Sequence, residues 1–357
     1  MKFGVFILGD KPNHLSDREV LRNVLQEASW AEELGYDEVW LAEHHFSPYG
    51  MLADLPQIAT AIATQTERIR IGTACMVAPF HSPIQLAERI ALVDVLSNGR
   101  FDAGFGRGYQ SHEFKGFGVS MDQATGRYQE CVEIVNRLLS EENVTYHGKY
   151  HQIEDVTIYP RPLQQPVPVW GTVMKTPSSF EWLADKSFGA IIGNPYQVDP
   201  DLQGALDIYL DVQSKKGLDA ATGNVWALLN AFCDKDDGFA RSYPRDSVEL
   251  SIQTHRKYSS PFERGGEIPA DYKAYSDWFD KHDKQSYEQV LNSHLTLMGD
   301  PDRIITKMRT VIDMGWRNIM LRMSRGGAMD RNKVYESMKL FAREVIPAAT
   351  ELAATAV

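Results

Sequence analysis

The chain has 357 residues, enough for one large α/β domain or two ordinary ones, and its 43% hydrophobic and 24% charged content is that of a soluble globular protein. A formal net charge of −11 argues against nucleic acid or an anionic membrane surface as the main partner. The three cysteines, Cys75, Cys131 and Cys233, lack metal-site spacing, and no apolar run approaches the roughly 20 residues that span a bilayer, so a reducing, cytoplasmic setting without disulfides is expected.

Residues 3–8 (FGVFIL) are a short apolar run suited to a strand buried on both faces, and no small-residue cleavage site follows to suggest a signal peptide. Ser16, with Glu19 three residues on, forms a capping box for a helix over 17–34, which Gly35 stops. The next strand, EVWLAEHH at 38–45, finishes in an acid and two histidines. A core strand has no reason to end that way; a strand delivering titratable groups to a cleft does. A helix over 56–66 leads to a strand over 69–77, and a helix over 83–96 leads through Asn98-Gly99 to a strand over 101–106. After a helix over 124–139 comes an excursion, 143–165, whose segment 144–151 reads as a small hairpin. A strand at 168–173, a helix at 178–186, a strand at 190–193, a helix at 201–216 and a strand at 225–233 resume the rhythm. Segment 234–295 is too long for one crossover helix, and its middle, 259–275, is full of Pro, Gly and charge. It reads as two helical pieces around a mobile loop, the kind of insertion that acts as a lid. Residues 297–301 re-enter the core, a helix spans 302–314, the last strand is 318–323, and a helix over 333–344 closes the chain.

Eight strands alternating with eight helices predict an α/β fold, a (β/α)8 TIM barrel over residues 1–357 with insertions after strands four and seven. An open doubly wound sheet is disfavoured, because no G-x-G-x-x-G turn follows the first strand.

In such a barrel the active site lies at the C-terminal ends of the strands. Strand two then offers Glu43, His44 and His45; strand three, Ala74, Cys75 and Met76; strand four, Gly104, Gly106, Arg107 and Gly108; strand five, Lys175, Thr176, Ser178 and Ser179. Side chains alternate along a strand, so one of the adjacent histidines should face the barrel mouth while the other packs beneath a loop or binds a neighbour. An imidazole in a cleft suits proton transfer, although a His-His pair is also a common structural or partial metal feature; no third ligand stands at zinc spacing, and no metal is expected. Glycines at 104–108 let backbone approach a flat ligand, and Arg107 offers a planar fork suited to phosphate. Hydroxyls of K-T-P-S-S at 175–179, just before a helix, make a second anion-binding feature. Phe6, Trp40, Tyr109, Trp170, Trp226 and Trp278 are available to line a substrate pocket or to pack as core.

These residues carry a resemblance. M-K-F-G at 1–4, V-W-L-A-E-H-H-F at 39–46, I-G-T-A at 71–74, N-G-R-F at 98–101, G-F-G-R-G at 104–108, S-S-F-E-W at 178–182 and M-K-L-F at 338–341 together resemble bacterial luciferase, chiefly its catalytic α subunit, and luciferase-like flavin monooxygenases generally. The likeness covers essentially the whole chain. It implies a two-component monooxygenase that takes FMN as FMNH2 from a separate flavin reductase, adds O2 at flavin C4a, and uses the peroxyflavin to oxygenate a small organic substrate such as an aldehyde, ketone or aromatic. It further implies His44 as catalytic base and His45 as its support, with Glu43, Ala74, Cys75 and Gly106 around the flavin. Arg107, Lys175, Thr176, Ser178 and Ser179 would then lie on the phosphate side. A non-prolyl cis peptide is implied at Ala74–Cys75, a catalytic lid within 234–295, and a homodimer through the helices after strands two and three. Gly106 stands where the luciferases carry a reactive cysteine, Lys175 replaces an acid, Glu113 replaces a shorter acid, and His81 is shifted; these departures point away from light emission and long-chain aldehydes. Two other readings are an F420-dependent hydride-transfer oxidoreductase of the same superfamily and a non-catalytic flavin-binding or partner subunit.

Overall fold

The short apolar segments lie side by side, all parallel, as β1 (Lys2–Ile7), β2 (Glu38–Leu41), β3 (Arg70–Thr73), β4 (Phe101–Gly106), β5 (Val169–Val173), β6 (Gly189–Ile192), β7 (Val225–Cys233) and β8 (Asn318–Arg322). Each strand pairs with the next, and β8 pairs back onto β1 with Phe3 opposite Ile319, so the sheet closes into the expected eight-stranded barrel ringed by helices. The computed structural model describes residues 1–174, 176–193, 199–218, 224–258, 268–282, 285–293 and 295–355.

Closure removes both sheet edges and leaves an interior that side chains must fill. Trp40 from β2 meets Trp170 from β5 at 5.8 Å and Trp226 from β7 at 5.3 Å between ring centroids, contacts that cross the barrel because these strands are not neighbours. Gly72 makes room for the Trp40 ring: a Cβ there would lie 2.4 Å from the indole. Trp40, Trp170 and Trp226 are therefore interior packing, whereas Phe6, Tyr109 and Trp278 reach the cavity above. The helices bury their apolar stripes on the outer face of the sheet. Helix Asp17–Glu33 is typical, with the Ser16–Glu19 capping box formed and Val20, Val24, Ala28 and Ala31 turned inward.

Four local features differ from the sequence expectation. The strand expected over 69–77 is broken: the Ala74–Cys75 peptide is cis, and Met76–Val77 continues as a separate short strand opposite Phe105 and Gly106 of β4. Among the described residues, the insertion after β7 holds four α-helices, Asp237–Ser242, Arg245–Tyr258, Lys273–His282 and Tyr287–Asn292, in place of two. Two of them begin at side-chain caps, Asp236 and the Ser286–Gln289 capping box, both legible as start signals. Of the stretch 259–275, where the mobile loop was expected, residues 259–267 lie outside the described residues, while Ala270–Tyr272 and the start of Lys273–His282 are helical. Thr296–Gly299 is a further parallel strand, but it pairs with Asn230–Cys233 of β7, past the half of that strand that closes the barrel. Lastly, the closing helix does not stop at 344: Arg331–Leu340 passes through a π-helical turn, Phe341–Val345, into Ile346–Thr355. Pro347, which cannot donate an N–H to the turn before it, reads in sequence as a stop; the widened turn carries the helix past it. No helix among the described residues is long and apolar enough to cross a membrane.

Candidate active site

The C-terminal ends of the strands surround a cavity of about 320 Å³, within the usual range for small-ligand sites. Phe6 and Leu8 follow from β1, Glu43 and His44 from β2, Ala74 and Cys75 from β3, Arg107 from β4, Thr172 and Thr176 from β5, and Arg322 from β8. Tyr272, Tyr275 and Trp278, from the insertion after β7, form part of its outer wall.

The two histidines after β2 go to different places. His44 lines the cavity, and its Nδ1 lies 3.0 Å from Oε1 of Glu113, a buried carboxylate that also accepts the His45 backbone N–H at 2.8 Å. A carboxylate acceptor at Nδ1 fixes the proton there and leaves Nε2 for a ligand. His45 points away, its Nε2 2.8 Å from Glu43 Oε1 and its ring against Phe80 and Phe117. Glu43 is fully engaged: it also meets His81 Nε2 at 3.0 Å through both oxygens and accepts the Val77 N–H at 3.1 Å. Burial alone would raise the Glu43 carboxyl, but the hydrogen bonds and charge of His45 and His81 hold it at about 2. Burial likewise works against a charged His81, yet the bond and charge of Glu43 raise its pKa above the ordinary histidine value.

The cis Ala74–Cys75 peptide lies in the cavity wall. The Thr172 hydroxyl donates to Cys75 Sγ at 3.4 Å, and burial pushes that thiol up to about 12, so it stands as a neutral thiol. Gly106 does not itself line the cavity. A Cβ at that position would lie 2.1 Å from Cys75 Sγ, so the glycine is what lets the sulfur occupy this space.

Arg107 reaches the cavity with its guanidinium already engaged. One Nη donates to Thr125 Oγ1 at 3.0 Å, the other to the Asp271 carbonyl at 3.3 Å, and the group stacks 4.2 Å from the Tyr272 ring. Thr125 in turn donates to the Asp271 carboxylate at 2.6 Å, and the Tyr272 hydroxyl bonds the Gly108 carbonyl at 3.0 Å. On the neighbouring strand, Thr176 precedes helix Pro177–Asp185 without capping it, and Thr176 and Ser179 both line the cavity. Ser178 is exposed and does not, which removes it from the expected contact set: on the first turn it faces solvent. Lys175 lies outside the described residues.

Several cavity groups went unread in the sequence. Arg322 closes β8 in N-I-M-L-R, the same polar ending that marks His44, so the strand-end rule applied to that strand would have found it. Tyr49, Thr125, Asp271 and Tyr272 arrive from loops or helix starts, where no periodicity announces them.

Comparisons with known proteins place the chain in a family and match its fold. Residues 1–318 match the model of the luciferase-like monooxygenase family. The α chain of alkanal monooxygenase from the Kryptophanaron alfredi symbiont is 25% identical over 97% of this chain and 98% of its own. An uncharacterised Sinorhizobium fredii protein, y4vJ, is 38% identical, but the match spans only 48% of this chain and 49% of that one. Among solved structures, monooxygenase RslO1 of Streptomyces bottropensis superposes with a TM-score of 0.84 at 28% identity over 97% of this chain and 99% of that one. The oxygenating constituent of 3,6-diketocamphane monooxygenase from Pseudomonas putida, solved in complex with FMN, shares the fold at a TM-score of 0.79 and 16% identity, covering 97% and 98% of the two chains. The chain belongs to the luciferase-like monooxygenase family.

Proposed function

We propose that this chain is the oxygenating component of a two-component, FMNH2-dependent monooxygenase that inserts one atom of O2 into a small aldehyde, ketone or aromatic substrate. The observation that carries this reading is the arrangement of one cavity: an imidazole oriented by a buried carboxylate on one side, and an arginine beside a helix N-terminus on the other. The donor set fits FMN. Arg107, Thr176 and Ser179 supply a planar cation and hydroxyls for its phosphate, with Lys175 adjacent in sequence, and Ala74 and Cys75 would lie against its ring. When bound and reduced, the flavin supplies the electrons that activate O2.

The remaining work falls to the protein. His44 Nε2 takes or returns a proton as bonds to oxygen form and break, and Glu113 holds the imidazole in one tautomer while it does so. Glu43, His45 and His81 keep the end of β2 in place from behind. Tyr275 and Trp278, from the insertion after β7, screen the cavity from water. A separate flavin reductase provides FMNH2, and the free cysteines accord with a reducing cytoplasmic setting. Leu92 and Leu96, exposed on helix Pro83–Leu96 after β3, support a homodimer through this face.

The test is a product screen with a flavin reductase, FMN and isotopically labelled O2. One labelled oxygen atom in an aldehyde-, ketone- or arene-derived product is the expected result. Oxygen-independent oxidation of an alcohol by F420, or tight FMN binding with no turnover on any substrate, would replace it with one of the other two readings.

A further inference from the structure

The cavity has a second arginine on the opposite side of the barrel from the first. Arg107 follows β4; Arg322 ends β8, four strands away around a ring of eight, and both line the same space. Arg322 is only 4% exposed and is held by Asp10 at 2.7 Å and Ser251 at 3.4 Å, both contacts made by a single Nη. Its Nε has no hydrogen-bond partner among the described residues. Asp10 is itself shared, since it accepts the Gly326 N–H at 3.1 Å. The cavity it faces also carries the apolar side chains Phe6, Leu8, Leu228 and Met320, and the Tyr49 hydroxyl is a further partner of the guanidinium. Tyr49 bridges the distance to the proposed base, its ring 4.9 Å from that of His44.

A buried arginine whose Nε donor is left unmet is costly unless a ligand completes its bonds. We infer that Arg322 selects the substrate, binding an anionic oxygen (carboxylate, phenolate or enolate) on an otherwise apolar, ring-sized body lying between it and His44. This rests on the flavin reading, in which the cofactor phosphate occupies the Arg107 side and leaves this side for substrate. A planar cation meets such an oxygen through a charge-assisted bond with strict geometry, and His44, which lines the same cavity, is available to move a proton. The competing explanation is that Arg322 only ties β8 to the loop after β1 and to helix Arg245–Tyr258.

Calorimetric titration of the FMN-saturated protein with 2-naphthoate and with 2-methylnaphthalene separates these. The two probes share a body and differ in the anionic oxygen. Naphthoate should bind about ten- to a hundredfold more tightly, the range of a charge-assisted hydrogen bond. The Asp10→Asn/Arg322→Met double variant removes both members of the ion pair, so neither is left buried without the other and the fold should persist, and it should bind the two probes equally with FMN affinity unchanged. Arg322→Lys should recover part of the preference. Arg107→Ala, titrated without FMN, should keep the preference in full. A preference that survives the double variant, that is absent from the parent protein, or that disappears in Arg107→Ala overturns the assignment. So does loss of affinity for reduced FMN in the double variant with the naphthoate preference intact, which would give Arg322 to the flavin. Failure of the parent protein to bind FMN at all would count against the flavin reading alone, because the naphthoate preference is still readable in the FMN-free titration.

Discussion

At the end of β2, Glu43 meets two imidazoles, and one residue later His44 meets one carboxylate. The ingredients are the same and the consequences differ. Around Glu43 the hydrogen bonds close on themselves: His45 and His81 each spend a ring nitrogen on it, Val77 adds its amide, and Phe80 and Phe117 cover His45. The assembly ties β2 to the chain after β3 and has nothing left for a ligand. The His44–Glu113 pair uses one ring nitrogen and turns the other side of the ring toward the cavity. Function in this pocket is thus decided by which bonds are left unmade, more than by which residue types are present.

Substituting each side in turn breaks or sharpens that contrast. The largest effect is expected from His44→Ala, which should cut turnover by about 10²- to 10⁴-fold, the range of general acid–base catalysis, while FMN affinity stays the same. His45→Ala should lower thermal stability and leave turnover per folded molecule nearly intact. Equal losses of turnover in the two variants would erase the distinction drawn here.

Next comes Glu43→Gln, read by thermal melts across pH. The Glu43 pKa of about 2 in the folded protein lies below its ordinary 4.5, so its contribution is present above pH 4.5 and is lost as the pH falls toward 2. His81 is shifted the other way: its contribution is full below 6.5 and fades as the pH rises through its raised folded value. The cluster therefore contributes most between those limits. Removing the charge should cost on the order of 3 kcal/mol there, and the difference between variant and parent should shrink as the pH falls toward 2. A difference independent of pH would mean that the carboxylate acts through packing alone. Arg107→Ala follows, with an expected loss of about ten- to a hundredfold in FMN affinity and little change in melting temperature.

How much of this was legible depended on the kind of signal. The barrel was readable because each strand is an apolar run and each crossover has a start or stop signal, from Ser16 and Glu19 to Asn98-Gly99. His44 was readable because an imidazole is out of place at the end of a core strand. The His44–Glu113 pairing was not, since 69 residues separate the two and only the closed sheet brings them together. The tryptophans could be assigned to core or cavity only after the contacts across the barrel were known. The break in β3 had no local signature of its own in I-G-T-A-C-M-V, and the resemblance alone indicated where it falls.

The smallest expected effect concerns what already holds Arg107. Asp271 places its carbonyl 3.3 Å and its carboxylate 3.9 Å from the guanidinium, and Tyr272 stacks on it from the same turn. An incoming phosphate must share this arginine with a carboxylate of its own sign, so Asp271 should oppose the anion while Tyr272 keeps the fork in plane. Asp271→Asn removes the charge and retains the shape. Because the Asp271 side chain is 55% exposed, solvent screens the repulsion, and the gain in FMN affinity should be only about two- to fivefold. High salt should shrink that gain further, since the repulsion it relieves is screened as well. A weaker FMN complex in Asp271→Asn would instead make the carboxylate part of the binding site, with Thr125, which donates to it at 2.6 Å, acting through it.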